Sequence, residues 1–225
     1  MWCVPQLDDE YIEKMEDVLN LLAKPYDERE PVVVLDERPV QLLESARPST
    51  PAGLGRIAHH DYEYIRCGTA NIYCITEPKA GRHLTHATRN RKRPQYASAM
   101  QRISEAYPAA QTIHIVMDNL NIHTEAALKD VLGAEAGSKL WNRFTPHYTP
   151  KHGSWLNPAE IEASLWSREC LGRDRIPTFG ELSRRTRAWN ARANRLRRTI
   201  TWRFTTRKAR QLFRYNRSTM SRSEH

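Results

Sequence analysis

Residues 112–128 read TIHIVMDNLNIHTEAAL, and the fold turns on how this stretch is divided. The run Ile113 to Val116 is apolar and rich in β-branched residues, the mark of a strand buried on both faces. It ends at Asp118, and a helix is expected around 124–132. A buried strand that stops in a carboxylate either caps the next turn or holds something charged.

Working upstream, VVVLDE at 32–37 is a second buried run, and it too is expected to end in an aspartate, Asp36. Residues 39–58, rich in Pro and Gly, read as a loop. DYEYIRCGTANIYCITEPKAG reads as a hairpin turning at Gly68-Thr69, a Gly-X turn. RHLTHATR is a candidate third antiparallel strand, and PQYASAMQRISEAY has helical spacing at Tyr96, Ala99, Met100 and Ile103. At the start, Tyr11, Ile12, Met15, Val18, Leu19 and Leu22 form one helical stripe behind Asp8, a candidate N-cap.

Downstream, LWNRFTPHYTP reads as a short strand and KHGSW as a turn with Gly153 free to take a positive φ. LNPAEIEASLWSREC is a helix with Pro158 at its first position. TFGELSRRTRAWNARANRL is another, opened by the capping box Thr178-x-x-Glu181. Strands followed by helices in this order imply a mixed sheet with helices packed on it.

The chain has 225 residues, 40% of them hydrophobic, enough for a real core. Its net charge of +9 is unevenly spread. Residues 168–225 carry 17 Lys+Arg against 4 Asp+Glu, whereas residues 1–167 carry 18 against 22. An acidic body thus bears a basic arm with Trp189, Trp202, Phe204, Phe213 and Tyr215 interleaved. Such an arm suits phosphates, through Arg184, Arg185, Arg197 and Arg198; a solvated arginine-rich helix is the plainer alternative. Cys3, Cys67, Cys74 and Cys170 have no C-x-x-C spacing and read as reduced thiols of a cytoplasmic protein. Neither a signal peptide nor a membrane span is expected.

Asp36, Asp118 and Glu160 sit at comparable joints: two strand ends and the first turn of a helix. Gathered at one sheet edge, three carboxylates repel one another and need a cation. Hard oxygen ligands select Mg2+ or Mn2+. Each acid has an ordinary alternative. Asp36 could pair with Arg38, Asp118-Asn119 could form an Asx turn, and Glu160 could close a capping box with Asn157. Glu37 and Glu162 are rivals that point away from their neighbours, one by strand alternation and the other by roughly 200° around a helix. Among the histidines, His59-His60, His83, His86 and His114 lack zinc spacing, and His114 reads as core. His123 and His152 are better placed to touch phosphate or orient water. No G-x-S-x-G and no G-x-x-x-x-G-K-[ST] occurs.

VVVLDE, IVMDNLNIHT and HYTPKHGSWLNPAEIE, in that order, resemble the three catalytic blocks of the IS630 family of transposases, in the IS630–Tc1–mariner group. The hairpin segment and AWNARAN and WRFTTRKAR resemble further parts of that family, so the likeness covers about 8 to 215. It implies an α/β, RNase H-like mixed sheet flanked by helices, with a basic helical C-terminal arm. The expected division is a linker helix at 1–30, a DDE catalytic core at 31–172 and a basic extension at 173–225. Asp36, Asp118 and Glu160 fall on the family's three acids, with two Mg2+ ions, Mn2+ able to substitute, cutting and joining double-stranded DNA at transposon ends. A homodimer is implied as well. The family's N-terminal helix-turn-helix modules have no counterpart, which raises a separately encoded half, or a remnant that only binds or regulates. A structure-specific nuclease is a third reading. Cytoplasmic, nucleoid-associated work is expected.

Overall fold

A computed structural model describes residues 7–47 and 62–215, with positions 53, 55 and 57 between them. Cys3, His59 and His60 lie outside the described residues. Strand β1 (Val32–Ser45) pairs antiparallel with β2 (Tyr64–Glu77). Strand β2 carries two short antiparallel neighbours, β3 (Arg82–His83) and β4 (His86–Thr88). On the other side β1 runs parallel to β5 (Ile113–Met117), which runs parallel to β6 (Phe144–Tyr148). The sheet order is therefore β3-β2-β1-β5-β6, with β4 beside β2.

Alternation along the strands sorts side chains to two faces. On one face Val33, Leu35, Tyr73, Ile75, Ile113, Ile115 and Met117 meet α2 (Arg93–Ala106), α3 (Glu125–Leu132) and α4 (Ala134–Trp141). The stripe Tyr96, Ala99, Met100 and Ile103 of α2 is fully buried there, as its spacing predicts. The other face holds two separate clusters. Val34 and Val116 pack with α1 (Asp9–Ala23), α7 (Thr206–Phe213) and Leu156. Val40, Leu42, Ile72 and Cys74 pack with α5 (Ala159–Trp166) and α6 (Phe179–Leu196). Asp36 lies between these clusters on β1, at the seam.

Two of the N-caps expected from sequence are made as read: Asp8 accepts from Tyr11 N–H and Thr178 from Glu181 N–H. Strand β1 is longer than expected. It runs to Ser45 through the supposed loop, so Asp36 is an interior strand residue and not a strand end. Its charges and Pro39 imitate a turn. Beyond Val34 no pairing with β5 continues, so Pro39 sits on a stretch open on one side, where a missing N–H is tolerated.

The hairpin is likewise corrected: it joins β1 to β2, and Gly68-Thr69 is no turn. Leu42 faces Gly68 and Leu43 faces Arg66, so Cys67 is the extra residue of a β-bulge. Gly68 takes φ 116°, which glycine alone adopts freely. The third antiparallel strand is present but split at Leu84-Thr85 into β3 and β4. Gly153 has φ −102°, and the positive angle belongs to His152 at 61°. Gly153 is required for space: a Cβ there would lie 2.6 Å from Pro150 Cγ.

Candidate active site

Register brings the first two acids together. Val34 is paired with Val116 on parallel strands. Asp36 and Asp118 each lie two residues further on, just past the end of this pairing, and both line the same cavity. The third acid arrives through Asn157. Its Nδ2 donates to the Leu35 carbonyl oxygen at 2.8 Å, and its Oδ1 accepts from Ala159 N–H at 3.0 Å. One buried side chain thus ties the start of α5 to β1 beside Asp36, and Glu160 follows in the first turn. Sequence alone marks Asn157 only as a cap; its bond to Leu35 spans 122 residues.

Asp36, Asp118 and Glu160 line one cavity of about 200 Å³, with Arg38, Thr149, Ser154 and Asn157 among its other walls. The ordinary readings of these acids are not realised. Among the described residues Asp36 forms no ion pair with Arg38; its Oδ1 accepts the Glu37 N–H at 2.8 Å. The Asn157 N–H that a capping box would give to Glu160 already donates to the Ser154 carbonyl at 2.8 Å. Glu160 is exposed, and its carboxylate has no hydrogen-bond or ion-pair partner among the described residues. Burial raises the Asp36 carboxyl; the Glu37 N–H bond opposes this, and the charges of Glu160, Glu37 and Asp118 add to it, bringing it to about 7. An acidic oxygen cluster under mutual repulsion fits a hard divalent cation.

The rivals have other partners. Glu162 is fully buried, 2.9 Å from His83 Nδ1, and accepts from Thr85 Oγ1 at 2.6 Å. His83 Nε2 in turn faces the Arg198 carbonyl at 3.2 Å. This network pins α5 against β3 and the end of α6. Glu37 Oε1 lies 2.9 Å from His123 Nε2, while His123 Nδ1 lies 2.8 Å from Asp118 Oδ1 and 3.0 Å from the Asp118 carbonyl oxygen. Burial pulls His123 down, but its bonds to Asp118 and Glu37 outweigh that and hold it protonated up to about 10. Ligand atoms of Glu37, Asp118 and His123 lie within 4.8 Å of one another. Both imidazole nitrogens face acceptors, however, so neither offers a lone pair to an ion. His123 is a buried cation between two carboxylates.

The remaining candidates lie apart. His152 stands on an adjoining cavity that shares Asp118 with this one. Arg185 pairs with Asp174 at 2.7 Å and Glu181 at 2.8 Å, and Arg198 pairs with Glu169. Arg184 and Arg197 are exposed.

A family model described as DDE superfamily endonuclease matches residues 31–183. The chain belongs to this family. Sequence comparison with curated proteins returns no significant match. Among solved structures, the family fold recurs in the Mos1 mariner paired end complex with Mn. There the TM-score is 0.56 at 15% identity, covering 87% of this chain and 60% of that one. The Mos1 strand transfer complex gives 0.55 at 14%, covering 85% and 57%. A pre-cleavage Mos1 transpososome gives 0.55 at 16%, covering 85% and 58%. At such identity the likeness is one of fold, and the chain spans about 60% of the length of those chains.

Proposed function

We propose that this chain is the catalytic domain of an IS630-like DDE transposase, cutting and joining DNA with divalent metal. The observation that carries the reading is the convergence of Asp36, Asp118 and Glu160 on one cavity, in a chain whose family is the DDE endonucleases. Asp36, Asp118 and Glu160 are the proposed ligands. Two bound Mg2+ ions, or Mn2+, would supply Lewis acidity to a phosphoryl oxygen and lower the pKa of the attacking water. The related Mos1 complexes were solved with Mn and with Mg.

The chain's own residues prepare that site. Asn157 holds the Glu160 helix against the Asp36 strand. The His123 imidazolium lies 2.8 Å from Asp118 Oδ1 and 2.9 Å from Glu37 Oε1, and so fixes both carboxylates beside the cavity. The same reading proposes double-stranded DNA as substrate, a pair of copies bringing two ends together, helix-turn-helix modules for end recognition, and work in the bacterial-type cytoplasm. Among the described residues no helix is long and apolar enough to cross a membrane.

The test is cleavage of transposon-end DNA in Mg2+ and in EDTA. Metal-dependent cutting that Asp118→Asn and Glu160→Gln each abolish is expected. An Asp118→Asn protein that cuts like wild type would refute the mechanism.

A further inference from the structure

The carboxylate cavity adjoins a larger one. Asp118, Thr149 and Ser154 line both, and the second, of about 760 Å³, is bounded by the first turns of α1 and by the turn at 150–153. The first cavity is smaller than the roughly 300 Å³ at which ligand pockets begin, whereas the second lies inside that range. The second cavity has room for a nucleotide beside the carboxylates.

The turn has an unusual construction. Gly153 N–H donates to the Pro150 carbonyl at 2.8 Å, so 150–153 is a closed four-residue turn. His152, its third residue, takes φ 61°. That position calls for Gly or Asn, and a bulkier residue there is strained by about 1 kcal/mol. A glycine stands one place later, at an ordinary angle. Strain of this kind persists where a side chain serves a ligand.

The charges around this cavity divide into committed and free. Asp8 accepts from Tyr11 N–H at 2.8 Å, and Glu10 pairs with Lys14 at 2.6 Å. Lys151 and His152 are exposed and have no hydrogen-bond or ion-pair partner among the described residues. The unspent donors therefore stand on the turn, across from α1 and next to Asp118.

We infer that Lys151 and His152 form a jaw that grips phosphodiester oxygens of the DNA strand beside the bond presented to the carboxylates. Lys151 supplies a point charge, and His152, which lines the cavity beside it, supplies a ring N–H. This deepens the proposed function and rests on DNA being the substrate.

His152→Gly separates structure from function, because glycine suits the positive φ. The variant keeps or raises the wild-type melting temperature. It binds a fluorescein-labelled DNA duplex in Ca2+ roughly three- to tenfold more weakly, by anisotropy. In Mg2+ its KM for DNA rises by a similar factor while its rate at saturating DNA stays within about twofold. Lys151→Gln lowers the slope of log affinity against log salt by about one, and Lys151→Arg restores it. If His152→Gly and Lys151→Gln both bind duplex like wild type, the jaw is wrong and the DDE reading stands. A wild-type chain that binds no duplex overturns both.

Discussion

At Asp36 the folded chain holds a proton more tightly than the unfolded chain does, about 7 against 3.8. The folded state therefore gains most below about pH 4 and loses that gain as the pH rises toward 7. Metal-free protein should melt lower at pH 8 than at pH 5.5, and Mg2+ should raise its melting temperature more at pH 8. Asp36→Asn should remove most of this pH slope, stabilise the metal-free chain at pH 8 by roughly 1–2 kcal/mol and abolish cleavage. Calorimetry with and without metal reads the first two effects, and the DNA-cutting assay reads the third. His123 has the opposite sign of charge but the same direction with pH. Its contribution is complete below the ordinary histidine value of 6.5 and fades as the pH climbs through about 10. His123→Ala leaves Glu37 buried and unpaired, so urea denaturation should show a loss of about 3 kcal/mol. The three acids are legible in sequence because each stands beside a strong element signal. The Glu37–His123 pair is not, since its members are 86 residues apart and nothing local to either announces the other.

Periodicity locates most elements because the buried stripes of α1 and α2 and the apolar run of β5 repeat at the spacing their geometry requires. It fails where charge or glycine interrupts a strand. Asp36-Glu37-Arg38-Pro39 reads as a break, yet pairing with β2 carries β1 straight through it. Gly68 reads as a turn, whereas the ladder tolerates one surplus residue by bulging. Helix α4 gives no such signal, its eight residues being too short for a clear stripe. If the bulge is what sets the register of the outer hairpin, Gly68→Val should cost about 1–2 kcal/mol through its positive φ alone. Chemical denaturation measures this. An unchanged midpoint would mean that the outer hairpin melts independently of the core.

Over the whole molecule, the basic arm proves to be two things. Of the seven arginines from Arg184 to Arg198, three are spent internally among the described residues, Arg185 on Asp174 and Glu181, Arg192 and Arg198 on Glu169. Arg203, Arg207 and Arg214 are exposed and have no acidic partner among the described residues. Neutralising these three should flatten the salt dependence of DNA binding by about 0.9 for each phosphate they would otherwise neutralise. Arg185→Gln should leave that slope nearly unchanged. Total charge is legible in sequence, but its pairing is not, because the partner acids are fixed only by how α6 lies against its neighbours.

Helix α7 also returns to the first helix of the chain. Ala209 is buried with α1, Arg210 and Tyr215 both bond Glu16, and Trp155 meets the Phe204 ring at 5.5 Å. Trp155 stands five residues before Glu160. The packing beneath the third acid is thus finished by residues that a ribosome makes well after it. During synthesis Asp36 and Asp118 emerge early, but the Glu160 helix lacks its final support until the arm folds back. On the proposed reading, a nascent chain would hold its third acid firmly only after the arm has been made and has folded back onto α1.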